Sequence, residues 1–288
     1  MIMNFRKRLT ALAGAAALVA GCVGGGGGMP QPLPPAAAGP AATFADLAAY
    51  AEASDIAVVA VVDKAIAIDP ARAPGLAPGM ARVYVEATTA SLLAGDAPIG
   101  ESLTYLVDLA RNADGDIPKI KGSEVLLFAR TPPGSAPGAL QLVAPDAQLP
   151  ADPALLQRTR DLYAELYAPD APPRVTGIRD ALSVAGNLAG ESETQLFVRS
   201  ASGDPVTITV LRRPGAPPAW GVSWSDIVDQ SATAPARDTL EWYRLACFLP
   251  TALPADALLS GTPTDRQRAA ADYRFVRDSL GECARNRT

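Results

Sequence analysis

The sequence predicts an α+β protein, with a β-rich N-terminal part and a C-terminal module that combines a β-hairpin with two terminal helices. Two patterns lead to this fold class. Between residues 43 and 150, short runs rich in valine, isoleucine and leucine alternate with breaks rich in glycine and proline. From residue 151 onwards, apolar residues at helical spacing occur beside strand patterns. With 288 residues, 49% of them hydrophobic, the chain can bury a sizeable core.

The β-rich part, residues 43–150, begins with a short helix that Thr43 can cap. Several short strands follow, separated by glycine and proline. The predicted strands are Ile56–Ile68, Arg82–Leu93, Ser102–Leu109, Val125–Phe128 and Leu140–Val143. Short strands joined by such loops predict a small antiparallel barrel or a sandwich.

The order of these strands, with the motif KGSEVLLF at residues 121–128 as the fourth, resembles OB-type barrels of the netrin and tissue-inhibitor-of-metalloproteinases kind. The resemblance covers residues 55–145 and implies a small OB-like barrel. In that family a cysteine at the mature N-terminus engages a metal or a disulfide. No cysteine lies within residues 55–145, so the inhibitory mechanism is not implied for this chain.

The C-terminal module, residues 151–288, opens with a helix that Asp152 caps and Pro153 begins. The proline-rich stretch at 169–173 ends this helix and is the best candidate for a boundary between the halves. The clearest hairpin pairs Gln195–Ser200 with Val206–Arg212.

A further strand and two helices complete the module. Trp220 and Trp224 alternate onto one face of the strand. One helix is predicted from about Pro235 to Phe248. The last helix is predicted to begin at Thr264, with Gln267 completing a capping box.

The amino terminus has three zones: basic residues at 6–8, an apolar run at 9–20, and the tetrad Val19, Ala20, Gly21 and Cys22. The apolar run is shorter than the roughly 20 residues that a membrane-spanning helix needs, but it suits the core of a signal peptide. The tetrad resembles the lipobox of bacterial lipoproteins. The resemblance implies that residues 1–21 are removed as a signal peptide and that Cys22 carries a diacylglyceryl group and an amide-linked acyl chain such as palmitate.

Residues 22–42 are rich in glycine and proline and are predicted to be a lipid-anchored tether without a fixed fold. Two or three acyl chains anchor a protein stably, so the membrane is an expected partner. Val23 stands where many Gram-negative lipoproteins retained in the inner membrane have aspartate. The resemblance therefore implies a cell-envelope protein anchored in the outer membrane and facing the periplasm. The alternative is an ordinary secretory signal with an incidental cysteine.

The other two cysteines, Cys247 and Cys283, continue apolar stripes of the last two predicted helices. Exported proteins fold where disulfides persist. With Cys22 lipidated, the sequence predicts a disulfide between Cys247 and Cys283. The alternative is two unpaired, buried thiols.

The chain has no histidine, which excludes Ser-His-Asp and Cys-His catalysis and histidine-ligated zinc or iron. It also has no C-x-x-C motif, so we expect neither a metal nor another cofactor. The formal net charge is −5. Removing residues 1–21 takes away three basic residues and no acid, and lowers it to −8. This charge argues against nucleic acid as a partner.

Carboxylate chemistry stays open, because glycosidases use two acids on either side of a sugar. The candidate pairs are Glu191 with Glu193 and Asp226 with Asp229. Trp220 and Trp224 could stack on sugars as a ligand face, although alternating tryptophans usually belong to a core. We therefore expect a non-enzymatic binding or assembly role, with an envelope protein or peptidoglycan as partner. The alternative is a carboxylate-dependent glycan hydrolase or a sugar-binding module.

Overall fold

The computed structural model describes residues 29–95, 99–225, 232–258 and 261–287. These residues form two antiparallel sheets and several helices around one continuous apolar core. The predicted α+β class is confirmed.

The first sheet lies within residues 56–150. Its strands are β1 (Ile56–Ala67), β2 (Met80–Ala94), β3 (Ser102–Ala110), β4 (Glu124–Arg130), β5 (Gln141–Leu142) and β6 (Gln148–Pro150). Their order is β3-β2-β1-β4-β5, and β6 also pairs with β4. The five apolar residues 125–129 of β4 are fully buried, so this strand lies in the middle of the core.

The predicted N-terminal barrel is wrong, because within the described residues the first sheet stays open between β3 and β5. Its last two strands have only two and three residues and are too short to form a closing ladder. Across the gap, one isolated β-bridge joins Thr104 to Ala139, and the Asp108 N–H donates to the Pro145 carbonyl at 2.8 Å. Over residues 29–95 and 99–150, the sheet therefore does not close into the OB-like barrel that the netrin-like resemblance implied.

The second sheet is a four-stranded meander. Its strands are β7 (Val175–Ala185), β8 (Ser192–Ser200), β9 (Val206–Arg212) and β10 (Ala219–Ser223). Their order is β10-β9-β8-β7, which contains the predicted hairpin as β8 and β9. One face of this sheet packs against the last helix, and the other face points away from it. Successive residues of each strand alternate between these two faces.

Five α-helices are described. They are α1 (Pro35–Ala38), α2 (Phe44–Ala53), α3 (Pro153–Leu166), α4 (Leu240–Ala246) and α5 (Pro263–Leu280). Thr43 and Asp152 cap α2 and α3 as predicted, and Pro153 begins α3.

The last two helices differ from their predictions. α4 is shorter than 235–248, because Thr239 caps it and the preceding Asp238 has a positive φ of 61°. α5 begins one residue earlier than Thr264, with Thr262 and Asp265 forming the capping box. Pro263 at the first helical position favours this start, since its φ is already helical.

The described part of the predicted tether is folded. The Gln31 N–H donates to the Gly122 carbonyl at 2.8 Å, and the Glu124 N–H donates to the Gln31 carbonyl at 3.1 Å. Leu33 and Ala37 are buried against the core. The tether prediction is therefore wrong for residues 31–42, because glycine and proline content hid these apolar contacts. Residues 22–28 lie outside the described residues.

The two predicted domains share one core. The Glu52 carboxylate on α2 pairs with Arg174, at 2.9 Å, and with Arg244 on α4. The C-terminal tail also returns to the N-terminal half. There, the backbone N–H groups of Asn286 and Arg287 donate to the buried Asp46 carboxylate at 3.1 and 3.3 Å.

Candidate functional site

The lipobox residues Val19, Ala20, Gly21 and Cys22 lie outside the described residues. The two other cysteines are joined. Cys247 and Cys283 form a disulfide with their Cα atoms 5.1 Å apart. It links the end of α4 to the tail that follows α5.

The prediction that Trp220 belongs to a ligand face is wrong. Its side chain is buried on the face of the second sheet that packs against α5, and its Nε1–H donates to Ser279 Oγ at 2.9 Å. Trp224 follows the end of β10 and packs, partly buried, against the apolar core. The alternation of tryptophans thus marked the core side of a strand.

Glu191 lies just before β8, and Glu193 is the second residue of that strand. Within β8, the residues facing α5 are buried and the intervening residues are partly exposed, which places Glu193 and Gln195 on the opposite, outer face. Trp220 therefore lies on the other side of the sheet from Glu193. Asp226 and Asp229 are outside the described residues.

The outer face is amphipathic around Glu193. In the strand register, Glu193 lies between Val184 on β7 and Leu211 on β9. One step further along, Gln195 lies beside Leu182, and its amide donates to the Glu193 carboxylate at 2.9 Å. One carboxylate is thus surrounded by apolar side chains and held by an amide.

A cavity of about 510 Å³ opens over this part of the sheet. Its apolar floor consists of Leu182, Val184 and Leu211, and charged groups of both signs surround it. The charged lining residues are Glu191, Glu193, Arg212 and Arg213. The shape and lining suit a ligand or peptide with both apolar and polar groups.

The β7–β8 turn beside this cavity is locally fixed. The Gly186 N–H donates to the Glu191 carbonyl at 2.8 Å, and the Leu188 N–H donates to the Glu191 carboxylate at 3.2 Å. A Cβ at Gly186 would lie 2.3 Å from Cγ of Glu191, so a larger residue there would displace the Glu191 side chain. Glu191 thus accepts two backbone N–H groups of the turn, one at its carbonyl and one at its carboxylate.

Exposed apolar side chains gather at the same place. Val184 and Leu188 are 56% and 62% exposed, and Leu182 is partly exposed beside them. Clustered apolar exposure, unlike single apolar residues, marks interaction surfaces. We call the group Leu182, Val184, Leu188, Glu193 and Leu211 the hairpin surface.

Sequence reasoning missed β7 and with it most of the hairpin surface. The register of β7 with β8 shifts between Val175 and Gly177 and again between Ile178 and Asp180. Each shift breaks the alternation of apolar and polar residues by which a strand is recognised. From Asp180 to Ala185 the register is unbroken, but there the apolar Leu182 and Val184 are exposed and the polar Ser183 is buried, which reverses the usual pattern.

Sequence reasoning also missed two carboxylates, Glu165 and Glu241, that lie near enough to repel each other. Burial raises the pKa of Glu241, the Trp224 indole partly offsets the shift, and nearby Glu165 raises it further. However, the Glu165 carboxylate accepts the Leu240 N–H at 2.8 Å and so holds the start of α4. This contact is explained by the packing of α3 on α4.

Buried tyrosines have structural roles. Burial raises the pKa of Tyr163 and of Tyr273 to about 12. A general acid or base works best when its pKa is near the working pH, so these phenols do not suit that task. Instead, Tyr163 hydrogen-bonds Ser54 at 2.9 Å, and Tyr273 donates to the Pro250 carbonyl.

In the part of the chain that the structure describes, no group of three or more histidine, cysteine, aspartate or glutamate residues could hold a metal ion. No described helix combines the length and apolar character needed to cross a bilayer. The sequence matches no known family model, and a search of the curated proteins finds no relative.

Proposed function

We propose that this chain is an envelope lipoprotein, anchored through lipid on Cys22 in the outer membrane, that binds a partner in the periplasm without catalysing a reaction. The three zones ending at Cys22 support the anchor. The observation that carries the binding role is the hairpin surface, where exposed apolar side chains surround a hydrogen-bonded carboxylate. A partner that covers it would bury apolar area and pair with the charged rim, as in protein–protein interfaces.

An envelope protein fits this surface better than a glycan. Sugar-binding sites commonly use tryptophan faces beside polar groups, but Trp220 is buried on the opposite side of the sheet from Glu193. β7 is also one of the two edge strands of its sheet. Edge strands can extend a sheet into a partner chain through their backbone hydrogen-bonding groups.

The anchor predicts a specific effect of replacing Cys22. In a bacterial host fed labelled palmitate, we expect the full-length chain to incorporate label and Cys22→Ser to incorporate none, because the serine hydroxyl does not replace the acylated thiol. The Cys22→Ser protein should also keep the mass of residues 1–21. As a matched control, Cys247→Ser combined with Cys283→Ser should still be labelled. Label on Cys22→Ser, or a mature wild-type chain that begins elsewhere, would contradict the anchor.

The binding role predicts that charge on the hairpin surface disrupts a complex. We expect the double variant Leu182→Lys with Val184→Lys to lower the amount of envelope partner captured by cross-linking in cells by about tenfold or more. The reason is that a change at the centre of an interface costs about 1–2 kcal/mol or more of binding free energy. The matched control is Leu92→Lys, which changes a comparably exposed leucine on the first sheet. Equal loss in both variants, or no loss in the first, would overturn the assignment of the surface.

A further inference from the structure

The chain joins its fold close to Cys22. Backbone hydrogen bonds fix Gln31 between Gly122 and Glu124. Beyond Gln31, the Arg287 guanidinium holds the carbonyls of Ala38 and of Pro40, the latter at 3.0 Å. From Gln31 onwards, then, the chain belongs to the folded body.

The nine residue steps from Cys22 to Gln31 limit how far the folded body can lie from a lipid on Cys22. Fully extended, nine residues span at most about 32 Å. A folded chain of about 260 residues has a radius of gyration of about 18 Å, and is therefore roughly 45 Å across. The connection is shorter than the body is wide. The side of the body far from Gln31 therefore cannot reach the bilayer that holds the lipid on Cys22.

The surface where the chain joins the fold carries exposed cations. Lys119 and Lys121 are exposed on either side of the buried Ile120. Among the described residues, neither lysine has a carboxylate within salt-bridge distance, whereas Lys64 pairs with Glu86. These lysines are therefore available to phosphate groups, which Lys ammonium groups bind as point charges.

We propose that residues 119–124 face the bilayer that holds the anchor, with Lys119 and Lys121 against anionic phospholipid headgroups; this rests on the proposed lipidation of Cys22. The mature chain carries a net charge of −8, so electrostatic attraction does not recruit it to an anionic surface. The lipid supplies the affinity. The short connection and the two lysines then set the orientation of the folded body. In this orientation β4 runs away from the membrane, from Glu124 towards the loop at 131–138.

Lysine acetylation can test this orientation, because the mature chain has only Lys64, Lys119 and Lys121. The mature chain, with its disulfide intact, is coupled through the Cys22 thiol to a maleimide phospholipid in vesicles of phosphatidylethanolamine and phosphatidylglycerol. Acetylation rates are read by mass spectrometry against uncoupled protein with the same vesicles. Ser135→Lys supplies a lysine in the exposed loop at 131–138, which follows the opposite end of β4.

We expect Lys119 and Lys121 to react about fivefold more slowly when coupled, as one favourable headgroup contact per lysine implies. The lysine of Ser135→Lys should react at its uncoupled rate. Equal protection at both ends would overturn the orientation. Protection of equal size on phosphatidylcholine vesicles would overturn the assignment to anionic headgroups.

Lengthening the connection provides a second test. Inserting about twenty glycine and serine residues between Gly28 and Met29 should abolish the protection, because the body can then turn freely. Protection that persists would show that the short connection does not set the orientation. Since the lipid is attached chemically in these experiments, their failure is distinct from failure of Cys22 lipidation in cells, which the palmitate experiment measures.

Discussion

Replacing Arg212 by methionine is expected to lower the free energy of unfolding by about 3 kcal/mol, the lower end of the cost of breaking a buried ion pair. The Asp272 carboxylate on α5 is fully buried, and Arg212 Nε donates to it at 2.6 Å from β9. Thr194 on β8 donates to the other oxygen of the same carboxylate. Without the guanidinium, the carboxylate is left in the core with only the Thr194 hydroxyl as a partner, which does not compensate for lost hydration.

The two partners should differ in their effect. The Arg212 side chain is about one-third exposed, so water can solvate it when its partner changes. We therefore expect Asp272→Asn to cost less, about 1–2 kcal/mol, because it keeps the shape of the site and leaves no buried charge unpaired. Urea unfolding with an unchanged slope measures both values. A larger loss for Asp272→Asn than for Arg212→Met would contradict this explanation. Combining Arg212→Met with Asp272→Leu should recover most of the loss, since an apolar pair can replace a buried ion pair.

This ion pair could not be predicted from the sequence. Arg212 and Asp272 lie in different elements, and an arginine at a strand end and an aspartate within a helix each suit an exposed position. Only the packing of α5 on the second sheet brings them together. Features that depend on neighbouring residues in the sequence were predicted correctly. Asp152 and Pro153 begin a helix, and Val206–Arg212 forms half of a hairpin.

Errors arose where a residue's surroundings decide its role. Composition assigned residues 31–42 to a tether, yet Leu33 packs against the core. The alternation of Trp220 and Trp224 identified one face of a strand but could not tell whether that face met solvent or α5. The hairpin surface was missed because register shifts in β7 hide its periodicity. In each case the missing information was a contact between segments far apart in the chain.

Removing the disulfide is expected to lower the free energy of unfolding by about 3–4 kcal/mol, because a cross-link that closes a loop of this length restricts the unfolded chain. The two cysteines are separated by 36 positions. The variant is Cys247→Ala with Cys283→Ala, compared with the oxidised protein by urea unfolding. An unchanged urea midpoint would contradict a stabilising role for the bridge.

The same variant should also loosen the segment around Gln31, where the chain joins the fold. A cross-link that acted only on the unfolded chain would not have this effect. Cys283 precedes the tail that brings Asn286 and Arg287 onto Asp46. The Arg287 guanidinium also donates to the Asp146 carbonyl at 2.8 Å, so the tail bridges both ends of the N-terminal half. Without the bridge, we expect the Gln31 amide, as well as the tail amides, to exchange hydrogen faster under native conditions. The Val125 amide in the core should keep its exchange rate relative to global unfolding. If the Gln31 amide stays as protected as the core, then the tail does not hold the segment that connects the fold to Cys22.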